Sequence, residues 1–298
     1  MGNSNNVYQI VTEKIINLLE QGVVPWKKPW RGGKAGMPKN LISRKPYRGV
    51  NIFLLSIYEY LSGFDSPWWL TYKQAKDLGG HVRKGQQGAM VVFYKPWEKE
   101  TTDETGKIIT ETIPVLRYYK VFNTCQCDDI DYPGKGDPAD DLNFSPIAQC
   151  ESIVSGMPNR PEIQHSDQRR AYYAPTSDIV HIPHQRHFDS VPEYYSTLFH
   201  ELTHSTSHES RLNRKDSDEK KNAAFGSAEY SKEELIAEMG AAFLCGLCDI
   251  ETATIENSAA YIQGWLKRLR DDKRLVVSAA AQAQKAADYI QGIEGRDN

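Results

Sequence analysis

Residues 200 to 204, His-Glu-Leu-Thr-His, constrain this chain more than any other stretch. Two histidines four apart share a face on a helix, and only there can both imidazoles of this spacing grip one metal ion. The surroundings agree. Ser190-Val-Pro-Glu193 forms an S-x-x-E capping box with proline in the first turn, and Leu198, Phe199 and Leu202 supply an apolar stripe. On such a helix Glu201 stands beside the ion, where it can take a proton from water and pass it to a leaving amine while the metal polarises a scissile carbonyl. The alternative is a pair of surface histidines with Glu201 as a solvated charge.

A catalytic site of this type needs a third protein ligand and an open position. Glu234 and Glu238 lie four apart on a second helical pattern, so one can bind metal while the other orients a ligating histidine from behind. Glu234 is assigned as the ligand and Glu238 as the orienting acid. Ser231 to Glu234 also fits a capping box, in which Glu234 folds back on the N-cap amide and Glu238, Glu233 or Glu229 replaces it. His181, His184, His187 and His208 are expected at the surface or in caps. His208 lies a full turn beyond His204, and three ligands so spaced on one straight helix diverge too far to meet. Imidazole and carboxylate suit Zn²⁺ first, with Mn²⁺ and Co²⁺ also acceptable. Cys125, Cys127, Cys245 and Cys248 do not read as a second zinc site, because the last two fall in the apolar run AAFLCGLC, where thiols pack as small hydrophobes.

The chain has 298 residues and is 40% hydrophobic, enough for one large domain or two ordinary ones. No apolar run approaches the ~20 residues of a membrane span, the N-terminus lacks a secretory pattern, and a disulfide framework does not fit five cysteines. A soluble cytoplasmic protein is expected, its oligomeric state open. Between Cys127 and Pro146 the composition shifts to Asp, Pro and Gly and reads as a linker. The expected domains are residues 1–130 and 148–298, joined by 131–147. Net charge is -3, yet residues 1 to 100 carry fifteen Lys and Arg against seven acids, and the remainder twenty-one against thirty-two. A basic first part and an acidic second suggest two surfaces with different partners. In the basic part Lys27, Lys28, Trp30, Arg31, Lys34, Lys39, Arg44, Lys45, Tyr47 and Arg48 interleave cations with rings, the combination that binds single-stranded nucleic acid. The opposing reading puts Trp26, Trp30, Trp68 and Trp69 in the core and the lysines on a solvated surface.

The periodicities place helices and strands in both halves. Helices are expected over 8–20, 51–61, 71–78, 191–208, 231–248, 257–270 and 275–292, and strands over 89–94, 115–122 and 179–182. Residues 98–112 read as a polar hairpin. The strand at 179–182 could be a sheet edge that pairs with an extended peptide.

The segments GVVPWKKPW, PKN, KPYRGVN and PWWLTYKQAKDLGGHVRKGQQG, with YYAPTSDIVHIP, FHELTHSTSH, RLNR and KEELIAEMGAAFL, resemble the plasmid-borne ArdC-type antirestriction proteins over nearly the whole length. The resemblance implies an α+β fold in two domains: an N-terminal α+β single-stranded DNA-binding unit, shared with conjugative primases, and a mostly helical C-terminal zincin-like metallopeptidase unit with a small sheet. It implies a divalent metal and a role protecting incoming conjugative DNA from restriction; a restriction-related host protein is the substrate inferred from the peptidase motif joined to that role. It matches His200 and His204 to metal ligands and Glu201 to the catalytic acid. The E-x-x-A-E run at Glu234 to Glu238 resembles the E-x-x-A-D pattern of several gluzincins, with Glu in place of the usual Asp at 238. For DNA it identifies segments, which add Lys73 and Lys84 to the basic candidates. A non-catalytic shield with a structural metal is the alternative function.

Overall fold

The computed structural model of the chain describes residues 4–27, 36–102, 108–135, 145–214, 228–250 and 259–293. Val7, Val11, Ile15 and Leu19 recur on one helical face, and α1 (Ser4–Glu20) buries all of them. After β1 (Lys39–Asn40), α2 (Val50–Ser62) ends at Gly63, whose φ of 66° is the left-handed conformation that closes the helix. Then come β2 (Trp68–Leu70) and α3 (Tyr72–Asp77), the latter started by a Thr71/Gln74 capping box. The first half is completed by β3 (His81–Val82), β4 (Ala89–Thr102), β5 (Ile108–Asn123) and β6 (Cys127–Asp128). One sheet has the order β1-β2-β5-β4, and β3 pairs with β6. Of the expected polar hairpin, 98–102 and 108–112 are the outer end of one long antiparallel pair that runs from Ala89↔Val121 to Thr102↔Ile108, and 103–107 lie outside the described residues.

The start of the Asp-rich stretch is packed rather than loose. Ile130 is buried with Trp68 and Leu70, and Trp68 Nε1 donates to the Pro133 carbonyl at 3.1 Å. A Cβ at Gly80 would lie 2.4 Å from Ile130 and 2.6 Å from the Asp128 carbonyl, so this crossing admits only glycine. Two apolar residues, Ile130 and Tyr132, anchor a segment whose average composition reads as solvated.

The second half contains α4 (Pro146–Gly156), β7 (Glu162–Ser166), β8 (Tyr172–Ala174), β9 (Ile179–Pro183), α5 (Val191–Ser205), α6 (Ala228–Cys248), α7 (Ala259–Asp271) and α8 (Leu275–Ile290). Its sheet has the order β7-β9-β8, with β9 parallel to β7 and antiparallel to β8. The expected edge at 179–182 is therefore the centre strand, with both hydrogen-bonding sides taken, and no peptide can add to it. Cys150, Cys245 and Cys248 are buried free thiols, and burial pushes Cys245 up to about 12. Among the described residues no helix is long and apolar enough to cross a membrane.

One hydrophobic cluster runs through both halves. Phe53 of α2 stacks on Phe243 of α6 at 4.9 Å, and Trp26 meets Trp265 of α7 edge-on at 5.8 Å. Polar contacts cross the same boundary: Arg48 pairs with Asp288, the Gly49 amide donates to Gln284 at 2.9 Å, and the Thr12 hydroxyl donates to the Lys273 carbonyl at 2.7 Å.

Candidate metal centre

The helix that carries His200 and His204 is fixed at both ends by side chains. The Ser190 hydroxyl accepts from the Glu193 amide at 3.2 Å, while Glu193 reaches back to the Asp189 amide at 3.0 Å. At the other end Arg211 Nε donates to the Ser205 carbonyl at 2.7 Å and Arg214 to the Thr203 carbonyl at 3.3 Å. Two cations thus satisfy the orphan carbonyls and complement the negative end of the helix dipole.

On this helix the His200 and His204 Nε2 atoms lie 3.1 Å apart, and each is 3.6 Å from an oxygen of Glu234 on α6. Among the described residues these three form the one group of His, Cys, Asp and Glu donors close enough to hold an ion, all within 4.8 Å of one another. Tetrahedral ligands at ~2.0–2.1 Å from a zinc-sized ion stand roughly 3.3 Å apart, so the donor set and its spacing fit a divalent metal. Helix α6 begins at Ala228, which puts Ser231 inside the helix rather than at its cap. Glu234 is turned toward the histidines instead of back on its own N-terminus. Glu201 is buried beside them at 7% exposure and faces His204 electrostatically.

The acid behind His204 is Glu233. Its Oε1 lies 3.5 Å from His204 Nδ1 and accepts from Arg214 Nη2 at 2.5 Å. Burial disfavours a charged His204, but Glu233, Glu234 and Glu201 outweigh it and raise its pKa to about 9. From the sequence Glu233 reads only as an alternative third ligand; its pairing with His204 depends on Arg214 of the RLNR run folding back onto α6. Glu238, the expected orienting acid, faces His200 electrostatically and hydrogen-bonds elsewhere. Its carboxylate accepts from the Tyr261 hydroxyl, which in turn accepts from Trp26 Nε1 at 3.1 Å. Burial raises the Glu238 pKa against the pull of Lys27, Tyr261, His200 and Trp26. Tyr261 carried no signal in the sequence, because its role depends on two segments far apart in the chain.

His181 stacks on Tyr172 at 4.6 Å, His184 on His165 at 5.9 Å, and His208 bonds Ser210 at 2.8 Å. His187 Nε2 lies 3.7 Å from Asp167. None of the four belongs to the donor group.

The basic candidates are spread over different surroundings. Lys27 Nζ sits 3.4 Å over the Tyr261 ring, and Arg48 is paired with Asp288, so both face the second half. Arg44 lies over Trp68 at 5.0 Å, while Lys45, Lys73 and Lys84 are exposed. Tyr47 is half-buried, and burial pushes its phenol up to about 12. Lys28, Trp30 and Arg31 lie outside the described residues. Trp26, Trp68 and Trp69 are core residues.

Two family profiles match the chain: the N-terminal domain of anti-restriction factor ArdC over residues 5–122, and a zincin-like metallopeptidase over residues 150–282. A DNA primase TraC of Escherichia coli is 33% identical over 96% of this chain, which spans only 27% of that protein's length. The uncharacterized protein y4eC of Sinorhizobium fredii is 32% identical, the match covering 96% of this chain and 91% of the relative. Two crystal structures of the antirestriction ArdC protein from plasmid R388 superpose at 96% coverage of this chain and 97% of theirs. The metal-free structure has a TM-score of 0.75 at 38% identity, the Mn(II)-bound one 0.73 at 39%.

Proposed function

The chain belongs to the ArdC antirestriction family, and from that premise we propose that it binds single-stranded DNA entering a cell by conjugation and cleaves a restriction-related host protein through a metal-dependent peptidase site. Residues 1–130 are the DNA-binding unit, 148–298 the peptidase and 131–147 the join. The observation that carries the peptidase half is the convergence of His200, His204 and Glu234 beside a buried Glu201.

His200, His204 and Glu234 would hold a divalent ion, Zn²⁺ first, with Mn²⁺ the precedent in the R388 relative. When bound, such an ion polarises a scissile carbonyl and lowers the pKa of water. Glu201 accepts the proton of the attacking water and returns it to the leaving amine nitrogen. Glu233, braced by Arg214, keeps the His204 ring turned with Nε2 toward Glu234.

The test is Glu201→Ala in a mating assay against a restricting recipient, after metal content and melting temperature have been matched to the parent protein. Loss of protection is expected. Full protection by the variant removes the peptidase from the mechanism and leaves a DNA-binding shield whose metal is structural.

A further inference from the structure

Side chains alternate across a strand, so the β4–β5 register decides which residues share a face. The pairs Ala89↔Val121, Val91↔Tyr119, Phe93↔Arg117 and Lys95↔Val115 lie on one side of the hairpin. At its inner end Ala89, Val91 and Val121 are buried with Leu55 of α2 and Trp69. Toward the outer end the cover stops: Phe93 is 39% and Tyr119 40% exposed, with ring centroids 5.2 Å apart and planes inclined at 57°. Lys95 is exposed and Arg117 half-buried on the same side. Over 89–95 and 115–123 the charged residues are Lys95, Arg117 and Lys120, all basic, while the acids of the two strands, Glu98, Glu100 and Glu111, fall in the parts beyond residue 95 and before residue 115.

We propose that this face is a stacking platform for single-stranded DNA, with Phe93 and Tyr119 as the base-contacting rings and Arg117 and Lys95 as the phosphate partners. It rests on the DNA-binding reading above and gives it a location. Uncovered rings on a sheet offer flat apolar surface to any unpaired base, whatever its sequence. Cations at the ring edges neutralise the phosphates that link successive bases. A polyanion is the partner this charge favours over an apolar protein surface. None of these residues is in the basic run before residue 50, because the platform depends on a register that joins residues about 25 apart.

The test is a fluorescence-anisotropy titration of a labelled oligothymidylate with the full chain, repeated across salt concentrations. Phe93→Ala and Tyr119→Ala are each expected to weaken binding about five- to a hundredfold, Tyr119→Phe to leave it nearly unchanged, and Arg117→Gln to reduce the salt slope by about one. As a readout that needs no folded variant, an oligonucleotide carrying 5-iodouracil should photo-crosslink the parent protein within 89–95 or 115–123. If the parent binds but both alanine variants bind equally well and crosslinks fall elsewhere, the platform is wrong while the DNA-binding reading stands. If the parent does not bind, both are wrong. A concentration-dependent dimer that the alanine variants abolish, with DNA affinity unchanged, also overturns the platform and assigns the face to a second copy.

Discussion

At the scale of single residues, neighbouring glutamates on α6 have separate tasks. Glu233 faces His204 Nδ1, Glu234 faces both Nε2 atoms, and Glu238 bonds Tyr261. The His200–His204 spacing and the third acid could be read from the sequence because each depends on helical geometry within a short segment. Which acid lies behind His204 could not, since Glu233 and Glu238 stand about 140° apart around α6 and only the α5–α6 packing decides which of them reaches that ring. In a chelator-competition titration, Glu233→Gln should weaken metal binding by about tenfold or more while Glu238→Gln changes it little. The reverse order would return the orienting role to Glu238. A second residue carries a pH dependence. Burial, with Asp65 nearby, pushes the Glu59 carboxyl up to about 8, and its Oε2 is buried with no hydrogen-bond partner among the described residues. A folded-state carboxyl that keeps its proton above the unfolded pKa of about 4.3 makes stability fall as pH rises from there to about 8. Glu59→Gln should abolish that decline, leaving urea stability unchanged near pH 4 and raised by roughly 2–5 kcal/mol at pH 9. Equal gains at both pH values would mean that packing, not ionisation, is the cause.

At the scale of elements, the metal site depends on how closely α5 and α6 approach. Gly240 lies six residues beyond Glu234, and a Cβ there would be 2.6 Å from Thr203 Cγ2 and 2.7 Å from its Oγ1. Thr203 cannot yield: it is β-branched, fully buried, and its hydroxyl donates to the Phe199 carbonyl at 2.7 Å. Gly240→Ala should therefore cost about 1–3 kcal/mol in urea unfolding and weaken metal binding, because it drives Glu234 away from the histidines. Thr203→Ala in the same chain should recover much of both losses, a coupling of roughly 1 kcal/mol or more in a double-mutant cycle. Simple additivity would place the strain elsewhere. Most helices were legible from apolar periodicity, α2 and α8 to within about two residues at each end, but α4 (Pro146–Gly156) was not, because it follows directly on the Asp- and Pro-rich stretch and is short. The position of β9 between β7 and β8 was not, since β7 and β8 carry no continuous apolar signal: Glu162 and His165 are exposed and Tyr172 to Ala174 only half-buried.

At the scale of the molecule, the halves share one hydrophobic core, with a few polar contacts around it. Phe53 and Phe243 are both fully buried against each other, and Trp26 closes over Trp265 and Tyr261. Charge asymmetry and the Asp-rich stretch point to two units, and nothing local to either half announces that their cores join. Phe53 looks like any helix hydrophobe until α6 lies on it. A shared core of this kind makes independent unfolding of the halves expensive, because separating them exposes apolar surface on both sides at ~25 cal/mol per Å². Urea unfolding should be one transition whether followed by tryptophan fluorescence, which reports mainly on the first half, or by helical circular dichroism, which reports mainly on the second. Phe53→Ala should shift that whole transition by about 3–5 kcal/mol. Metal at a hundred times its dissociation constant should shift it the other way by about 2.7 kcal/mol, moving the first-half signal although the ligands are in the second. Two transitions, with metal moving only the helical one, would show that the halves are joined by contact without sharing stability.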